Sequence, residues 1–226
     1  MERKIIRTGD GSVTIHLPQW DEQYHSKHGA VQEAQHVFIE MGLNYFVKNS
    51  NTEDVKILEI GFGTGLNAFI TFLQLNRIQK RIAYTGVEAY PVDLLEVEKL
   101  NYPEVLSAEE SAAVFLDMHT IPWEEKTVIS EDFVLIKQKK KFEDIEEKKA
   151  FHIIYFDAFG ARVQPELWTE DVFQKMFEAL IEGGVLVTYA AKGSVRRAMQ
   201  AVGFTVERLP GPPGKREMLR AVKKHT

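Results

Sequence analysis

The sequence contains no cysteine and no long apolar run. The missing cysteines exclude disulfides, zinc sites ligated by thiolates and catalysis by a thiol nucleophile. A bilayer span needs roughly 18 apolar residues, and the first ten residues, MERKIIRTGD, lack the apolar centre of a secretory signal. We therefore expect a cytoplasmic protein with no membrane partner, whose chemistry uses oxygen and nitrogen groups or a cofactor.

The chain also lacks an overall excess of positive charge, since 28 Lys and Arg stand against 33 Asp and Glu. The charge is unevenly distributed. Residues 192–226 carry nine basic and two acidic side chains, a net charge of +7, which leaves −12 for residues 1–191. A basic end on an acidic body indicates either contact with RNA or an ordinary solvated surface, and charge alone does not separate the two.

Four of these basic residues are candidates for phosphate contacts. Arg196 and Arg197 lie early in the predicted helix KGSVRRAMQAV, and Lys215 and Arg216 lie in GPPGKRE. Two glycines and two prolines predict a rigid turn there, which would present both cations. We predict that the four side chains bind tRNA or substrate phosphate.

The pattern of apolar residues predicts an α/β fold. Ile5 and residues 13–15 flank a Gly-Asp-Gly turn and indicate a small N-terminal hairpin, and a helical stripe follows between Val31 and Tyr45. The predicted strands of the main sheet are 56–60, 82–88, 133–136, 152–157, 185–189, 205–208 and 217–222. Helices are predicted after the first, second, fourth and fifth of these strands.

The boundaries of two elements follow from glycine and proline. Pro165 is expected to open a helix over residues 165–181, which Gly183 and Gly184 close. Only LPGPPGK separates the last two strands, so they should pair antiparallel at one edge of a mostly parallel, seven-stranded sheet.

The stretch VKILEIGFGTGLN carries the strongest functional signal. A strand ends before Gly61, Gly63 and Gly65, and a helix begins at once. Leu66 stands where a dinucleotide fingerprint needs its third glycine, so the ligand need not be a pyrophosphate. Glu88 ends the next strand 23 residues after Gly65, where a carboxylate can accept both hydroxyls of a ribose.

Asp157 ends the strand FHIIYFD at the same edge of the predicted sheet. A carboxylate there can accept a hydrogen bond from an amine and receive its proton. It also favours the charged ammonium, so partial desolvation must oppose that effect. Orientation of the amine is therefore the first role expected of Asp157, and base catalysis the second.

These motifs resemble a known family. EIGFGTGLN is similar to motif I of class I S-adenosylmethionine-dependent methyltransferases. Three further segments resemble the methyltransferase domain of the tRNA 5-methylaminomethyl-2-thiouridine biosynthesis protein MnmC: residues 20–38, 155–176 and 193–219. The resemblance covers nearly the whole chain and implies a Rossmann-like fold that binds S-adenosyl-L-methionine.

The resemblance implies roles for named residues. The cofactor-binding residues it implies are Gly61, Phe62, Gly63, Thr64, Gly65, Asn67, Glu88, Ala89 and Asp157. Asp157 is the candidate catalytic residue, and Tyr24, upstream of motif I, is a candidate to close over the donor or the base. One departure concerns adenine, because the third strand runs into Lys137 and Gln138 where many methyltransferases have an acidic residue.

The implied reaction transfers a methyl group to the exocyclic amine of 5-aminomethyluridine, or its 2-thio form, at the tRNA wobble position. We expect a monomeric, stand-alone methyltransferase without metal, since the chain ends at Thr226 with no flavin domain. Its amine substrate would come from another enzyme. The expected division is an N-terminal hairpin and helix, residues 1–50, packed on a methyltransferase domain, residues 51–226.

Two other functions stay open at this point. An aminopropyltransferase of the spermidine synthase type shares the sheet, the glycine turn and the carboxylates. An inert RNA-binding module could retain the same fold. The basic end and GPPGKRE speak against the first, and Gly61, Gly63, Glu88 and Asp157 against the second.

Overall fold

An eight-stranded sheet forms the centre of the computed structural model, which describes residues 2–224. The strands in chain order are β1 Lys4–Arg7, β2 Val13–Leu17, β3 Glu22–Gln23, β4 Asp54–Ile60, β5 Arg81–Val87, β6 Thr127–Ser130, β7 Phe133–Gln138, β8 Phe151–Phe156, β9 Leu180–Thr188, β10 Thr205–Pro210 and β11 Glu217–Val222. Across the main sheet their order is β10-β11-β9-β8-β4-β5-β7-β6, and β1, β2 and β3 form a separate small sheet. The expected division into residues 1–50 and 51–226 includes Met1, His225 and Thr226. These three residues lie outside the described part of the chain.

Helices cover both faces of the main sheet. They are α1 Ala30–Ala34, continued by the π-helical segment Gln35–Asn44 into α2 Tyr45–Lys48, then α3 Leu66–Leu73, α4 Leu75–Ile78, α5 Leu94–Val97, α6 Tyr102–Val105, α7 Ala112–Thr120, α8 Glu170–Ala179 and α9 Gly193–Ala201. Short 3₁₀ turns occur at Glu109–Ser111, Phe142–Asp144 and Pro165–Trp168. The helices predicted after four of the strands are confirmed.

The parallel strands place their carboxyl ends at one edge. β4 pairs in parallel with β5 on one side and with β8 on the other. The chain moves outward from β4 to β5 and β7, then returns across β4 to β8. This is a topological switch point, where α/β sheets open a crevice for a ligand.

Two apolar clusters pack against the two faces of the sheet. Ile57 of β4 points toward the long N-terminal helix, α3 and α7, whereas Leu58 points toward α8 and α9. This alternation follows from the two-residue period of a strand. The N-terminal helix approaches β9 so closely that a Cβ on Gly42 would lie 2.9 Å from Val187 Cγ2.

The predicted hairpins are confirmed at both ends of the chain. β1 pairs antiparallel with β2, and the short β3 adds to it. β10 pairs antiparallel with β11, and β11 pairs antiparallel with β9. The last pair therefore reverses direction at one edge of the sheet, as expected.

The predicted number of strands and the predicted extent of one helix are wrong. The main sheet has eight strands, because β6 pairs antiparallel with the start of β7 and extends the opposite edge. The helix predicted over 165–181 is a 3₁₀ turn followed by α8, which Thr169 caps by accepting a hydrogen bond from Val172 N. Leu180 already pairs with Phe151, so Gly183 and Gly184 lie inside β9, at an irregularity in the β8–β9 pairing.

Candidate active site

The glycine turn joins β4 to α3 and is held by the two neighbouring strands. The N–H groups of Gly61 and Phe62 both donate to Val87 O, each at 3.0 Å. Gly61 has a φ of +90°, and a Cβ there would lie 2.8 Å from Asp157 O. Only glycine fits this combination of positive φ and close backbone approach. The turn is thereby fixed at the switch point.

Glu88 lies at the end of β5 and faces the turn. Its Oε2 accepts a hydrogen bond from Gly63 N at 3.0 Å, and its Oε1 accepts one from Tyr90 N at 2.9 Å. Burial raises the pKa of this carboxyl, and the backbone hydrogen bonds and Arg3 oppose that shift. Each carboxylate oxygen keeps a further lone pair, so the group can still accept hydroxyl donors from a ribose.

A cavity of about 1110 Å³ opens between the glycine turn, Glu88 and Asp157. The predicted site residues that line it are Tyr24, Gly61, Phe62, Gly63, Thr64, Asn67, Glu88, Ala89 and Asp157. Gly65 lies off the lining, and a Cβ there would lie 2.7 Å from His119 Nε2. Pockets for drug-sized ligands measure about 300–1,000 Å³, so this cavity is large enough for a ligand of nucleoside size.

Asn67 connects two carboxyl groups beneath the cavity. Its Nδ2 donates to Glu59 Oε1 at 2.8 Å and to Asp157 Oδ2 at 2.9 Å. Glu59 is 1% exposed, and burial raises its pKa well above the usual range, which favours the protonated carboxyl. Glu59 Oε2 and Asn67 Oδ1 are buried without a hydrogen-bond partner among residues 2–224. Asn67 lines the cavity, so its free oxygen can receive a donor from a polar ligand, whereas Glu59 lies outside the lining and beside Tyr84.

The pKa of Asp157 is shifted in the direction that proton acceptance near neutral pH needs. Burial raises its pKa to about 7, with a further rise from the charge of Glu33, while Asn67 and Lys215 act in the opposite direction. An aspartate with this pKa is a far better proton acceptor near neutral pH than an exposed one. The desolvation that must oppose ammonium formation is therefore present at this carboxyl.

The small N-terminal sheet covers the glycine turn. A Cβ on Gly63 would lie 3.1 Å from Tyr24 Cδ1, so the Tyr24 ring rests on the turn. Burial raises the pKa of Tyr24 to about 12. Arg3 lies 5.9 Å from the centre of the same ring and donates to Glu96 Oε2 at 2.8 Å. Strands β1 to β3 thus connect the turn to the loop after β5.

His25 has a structural environment. Its Nδ1 lies 3.2 Å from Thr14 Oγ1 and its Nε2 lies 3.4 Å from Thr64 Oγ1. Burial lowers its pKa to about 4, so the ring is neutral near pH 7. These contacts tie the N-terminal sheet to the glycine turn, and we assign His25 no catalytic role.

The four residues predicted to contact phosphate lie in two separate places in the structure. Lys215 forms an ion pair with the buried Glu33 and lies 3.8 Å from the centre of the Tyr189 ring. Arg216 is exposed beside it, and both line a second, more open cavity of about 580 Å³. Arg196 and Arg197 lie on α9, outside the lining of both cavities. Contact with RNA stays a prediction for all four.

The reading of the sequence missed several cavity residues. Trp20 and Phe159 line the cavity beside Asp157, and Arg3 lines it from the N-terminal strand. Phe159 stands two residues after Asp157 in DAFGAR, which was the available signal. At the end of the third strand, where the usual acidic residue is missing, the backbone carbonyl of Gln138 accepts a hydrogen bond from Glu88 N at 3.0 Å.

No His, Asp or Glu cluster within residues 2–224 is arranged to hold a metal ion. Nor does that part of the chain contain a helix of the length and apolar character that crossing a membrane requires.

Comparisons with known proteins agree with this geometry. Residues 108–224 match the family model described as S-adenosyl-L-methionine-dependent methyltransferase. The chain is 28% identical over 92% of its length to the bifunctional tRNA 5-methylaminomethyl-2-thiouridine biosynthesis protein MnmC of Magnetococcus marinus, and 30% identical over 96% of its length to that of Aromatoleum aromaticum. It spans about a third of those relatives, 32% and 35% respectively.

Two solved structures share the fold. The crystal structure of MNMC2 from Aquifex aeolicus superposes with a TM-score of 0.77 at 25% identity, over 100% of this chain and 71% of the other. Spermidine synthase from Thermotoga maritima gives 0.58 at 15% identity, over 99% and 69%, and shows the fold alone.

The polar groups that line the cavity fit an adenosyl cofactor with an amino-acid end. Glu88 can accept ribose hydroxyls, the glycine turn lets a ligand approach the backbone, and the unpartnered Asn67 Oδ1 can accept from an ammonium group. The resemblance noted in the sequence is confirmed by the matches, and the family model covers more than half of the chain. The chain belongs to the S-adenosyl-L-methionine-dependent methyltransferases.

Proposed function

We propose that the protein methylates the exocyclic amine of 5-aminomethyluridine, or its 2-thio form, at the wobble position of tRNA. The relatives named for tRNA 5-methylaminomethyl-2-thiouridine biosynthesis support this substrate. A tRNA substrate would also place the enzyme in the cytoplasm. The monomeric state and the division at residue 50 stay predictions.

The observation that carries the proposal is the carboxyl of Asp157 on the wall of the cofactor cavity. A Cβ on Gly61 would touch its backbone carbonyl, so the carboxyl stands beside the glycine turn. Asn67 donates to Asp157 Oδ2, and no hydrogen bond from residues 2–224 engages the other oxygen, Oδ1. An amine delivered to this point would meet a proton acceptor next to the donor site.

Different residues of the cavity serve cofactor binding and proton transfer. When bound, S-adenosylmethionine supplies an electrophilic methyl carbon that an amine nitrogen can take by direct displacement. Glu88 and the glycine turn would hold the adenosyl part, and Asn67 would hold the polar end, which leaves Asp157 for the amine. Because displacement needs little activation, alignment of the amine is the main task of the protein.

The amine nitrogen needs a free lone pair to attack the methyl carbon, so a charged ammonium must lose a proton before the transfer. An alkylammonium has a reference pKa of about 10.4, so most of the free substrate is charged at neutral pH. Asp157 can accept a hydrogen bond from the amine and take that proton. Its pKa of about 7 is closer to the pKa of the amine than the pKa of an ordinary aspartate is, which makes the proton transfer less unfavourable.

The direct test uses the purified chain, S-adenosylmethionine and tRNA that carries 5-aminomethyluridine. Digestion and mass spectrometry of the nucleosides should show 5-methylaminomethyluridine, and tRNA with unmodified wobble uridine serves as the control. Absence of the product with a folded, cofactor-binding enzyme would refute the proposed substrate.

The same preparation separates the two alternatives. An aminopropyltransferase would consume decarboxylated S-adenosylmethionine with a diamine, which we expect to give no product here. An inert module would not be stabilised by S-adenosylhomocysteine. For a binding protein, ligand at 100 times its Kd adds about 2.7 kcal/mol to the free energy of unfolding, which a thermal melt detects.

A further inference from the structure

Three aromatic rings in mutual contact line the cavity, from the glycine turn to the loop that follows Asp157. Tyr24 and Phe159 meet with ring centres 5.0 Å apart at 80°, and Trp20 and Phe159 at 5.8 Å and 82°. All three are only partly buried, and all three line the cavity. Trp168 is different, since it is 6% exposed and packs within the core on Phe156.

Arg162 fixes the two chain segments that carry these rings. It lies three residues after Phe159, and its Nη2 donates to Trp20 O at 3.0 Å and to Asp21 O at 2.8 Å. It also forms an ion pair with Glu22 Oε2 at 3.1 Å. The turn that carries Trp20 is therefore attached to the loop that follows Asp157. A rigid wall of this kind suits a planar ligand better than a mobile loop does.

The cavity extends beyond the residues assigned to the cofactor. Its volume of about 1110 Å³ is at the upper end of the range for ligand pockets, and its lining continues past Asp157 to Phe159, Val163 and Gln164. Glu88 and the glycine turn, on which Tyr24 rests, lie at one side of it, and Phe159 lies in the loop after β8, to which Arg162 attaches the Trp20 segment. The remaining space thus adjoins Asp157, where the acceptor must arrive.

We propose that Trp20, Phe159 and Tyr24 form the subsite that receives the uracil ring of the acceptor nucleotide, and this inference rests on the proposed function. A base that undergoes chemistry leaves its stack and enters a pocket, where aromatic side chains replace the lost stacking. The rings meet nearly at right angles, so the wall offers a face to the base and an edge beside it. The 5-substituent of a base held there would lie toward Asp157.

The experiment combines truncation with ring-preserving variants. Phe159→Ala and Trp20→Ala should each raise the KM for aminomethylated tRNA by about 5- to 150-fold, the range that base–aromatic stacking gives on alanine substitution. Phe159→Tyr and Trp20→Phe keep a ring and should restore most of the affinity. Calorimetry with S-adenosylhomocysteine should show unchanged cofactor affinity in all four, which also confirms that each variant is folded.

Val163→Ala is the matched control, because Val163 lines the same cavity without a ring. Its KM for tRNA should stay within about twofold of the wild type, as expected where no stacking is lost. An equal rise in KM for Val163→Ala and Phe159→Ala would mean that cavity shape, not stacking, is responsible, and would overturn the inference.

A binding assay distinguishes failure of the subsite from failure of the proposed function. A short single-stranded RNA that carries 5-aminomethyluridine, added to the enzyme saturated with S-adenosylhomocysteine, should quench tryptophan fluorescence, and Trp20→Phe should lose most of that quench. Quench without methylation would refute the function and retain the subsite. Methylation with unchanged KM in both alanine variants, or neither binding nor methylation, would refute the subsite.

Discussion

Replacing the Asp157 carboxylate by an amide in Asp157→Asn should make the protein less active and more stable. Turnover should fall by about 10² to 10⁴, the usual range for a general acid–base group, with little change in cofactor affinity. The gain in stability arises because the variant no longer holds a charge that burial and Glu33 disfavour. Active-site residues commonly increase activity while they lower stability.

The size of the gain depends on pH in a defined way. The pKa of Asp157 is raised from 3.8 to about 7, so the folded protein binds the proton more tightly than the unfolded chain does. Wild-type stability therefore rises as pH falls from 8 toward 5. About two pH units of that interval lie below the folded pKa, and each contributes about 1.4 kcal/mol. The variant lacks this term, so its advantage over the wild type should be about 2 to 3 kcal/mol larger at pH 8 than at pH 5.

Urea unfolding at both pH values measures this difference directly. Glu59 titrates in the same direction, but it is present in both proteins and its contribution largely cancels. Asp117→Asn, an exposed carboxyl on α7, is the control and should show a much smaller pH-dependent difference. A stability difference between wild type and Asp157→Asn that is the same at pH 5 and pH 8 would show that the carboxyl is not desolvated as the structure indicates.

Further predictions concern binding and stability in four variants. Gly63→Ala places a Cβ 3.1 Å from the Tyr24 ring at a φ of +50°, and should cost about 1–2 kcal/mol of stability and weaken S-adenosylhomocysteine binding in calorimetry. Glu88→Gln should weaken the same ligand by about tenfold or more, since hydrogen bonds to a charged group are worth about 1.5–3 kcal/mol; unchanged affinity would remove the ribose assignment. Arg216→Glu should lower the salt dependence of tRNA binding by roughly one phosphate contact, whereas Lys215→Ala should mainly lower stability because it leaves Glu33 buried without its cation.

Much of the fold could be predicted because local sequence and long-range pairing agree there. The parallel strands are apolar runs that helices separate, and the final hairpin has only a short turn between its strands. β6 escaped prediction because Thr127–Ser130 is four residues long and exposes Val128 to 69%. Periodicity also could not end α8 at Ala179, because Leu180 continues the apolar face and only its pairing with Phe151 makes it a strand.

The candidate site likewise contains residues that could be predicted from the sequence and residues that could not. Gly61, Glu88 and Asp157 could be predicted because each stands directly after a strand, and the carboxyl ends of parallel strands share one edge. Trp20 and Phe159 could not, because their approach depends on how Arg162 attaches the N-terminal turn to the loop after β8. No spacing in the sequence encodes that contact across 142 residues.

The Glu33–Lys215 ion pair changes the interpretation of the basic end. Lys215 looked like a free cation in an exposed turn, yet it pairs with a residue 182 positions away that is 5% exposed. Both partners influence Asp157 in opposite directions, Glu33 raising its pKa and Lys215 lowering it. Charge reversal at Lys215 would therefore disturb the site as well as the surface, so loss of tRNA methylation in that variant would not identify an RNA contact. Arg216, exposed beside Lys215, is the residue at which the electrostatic hypothesis can be tested cleanly.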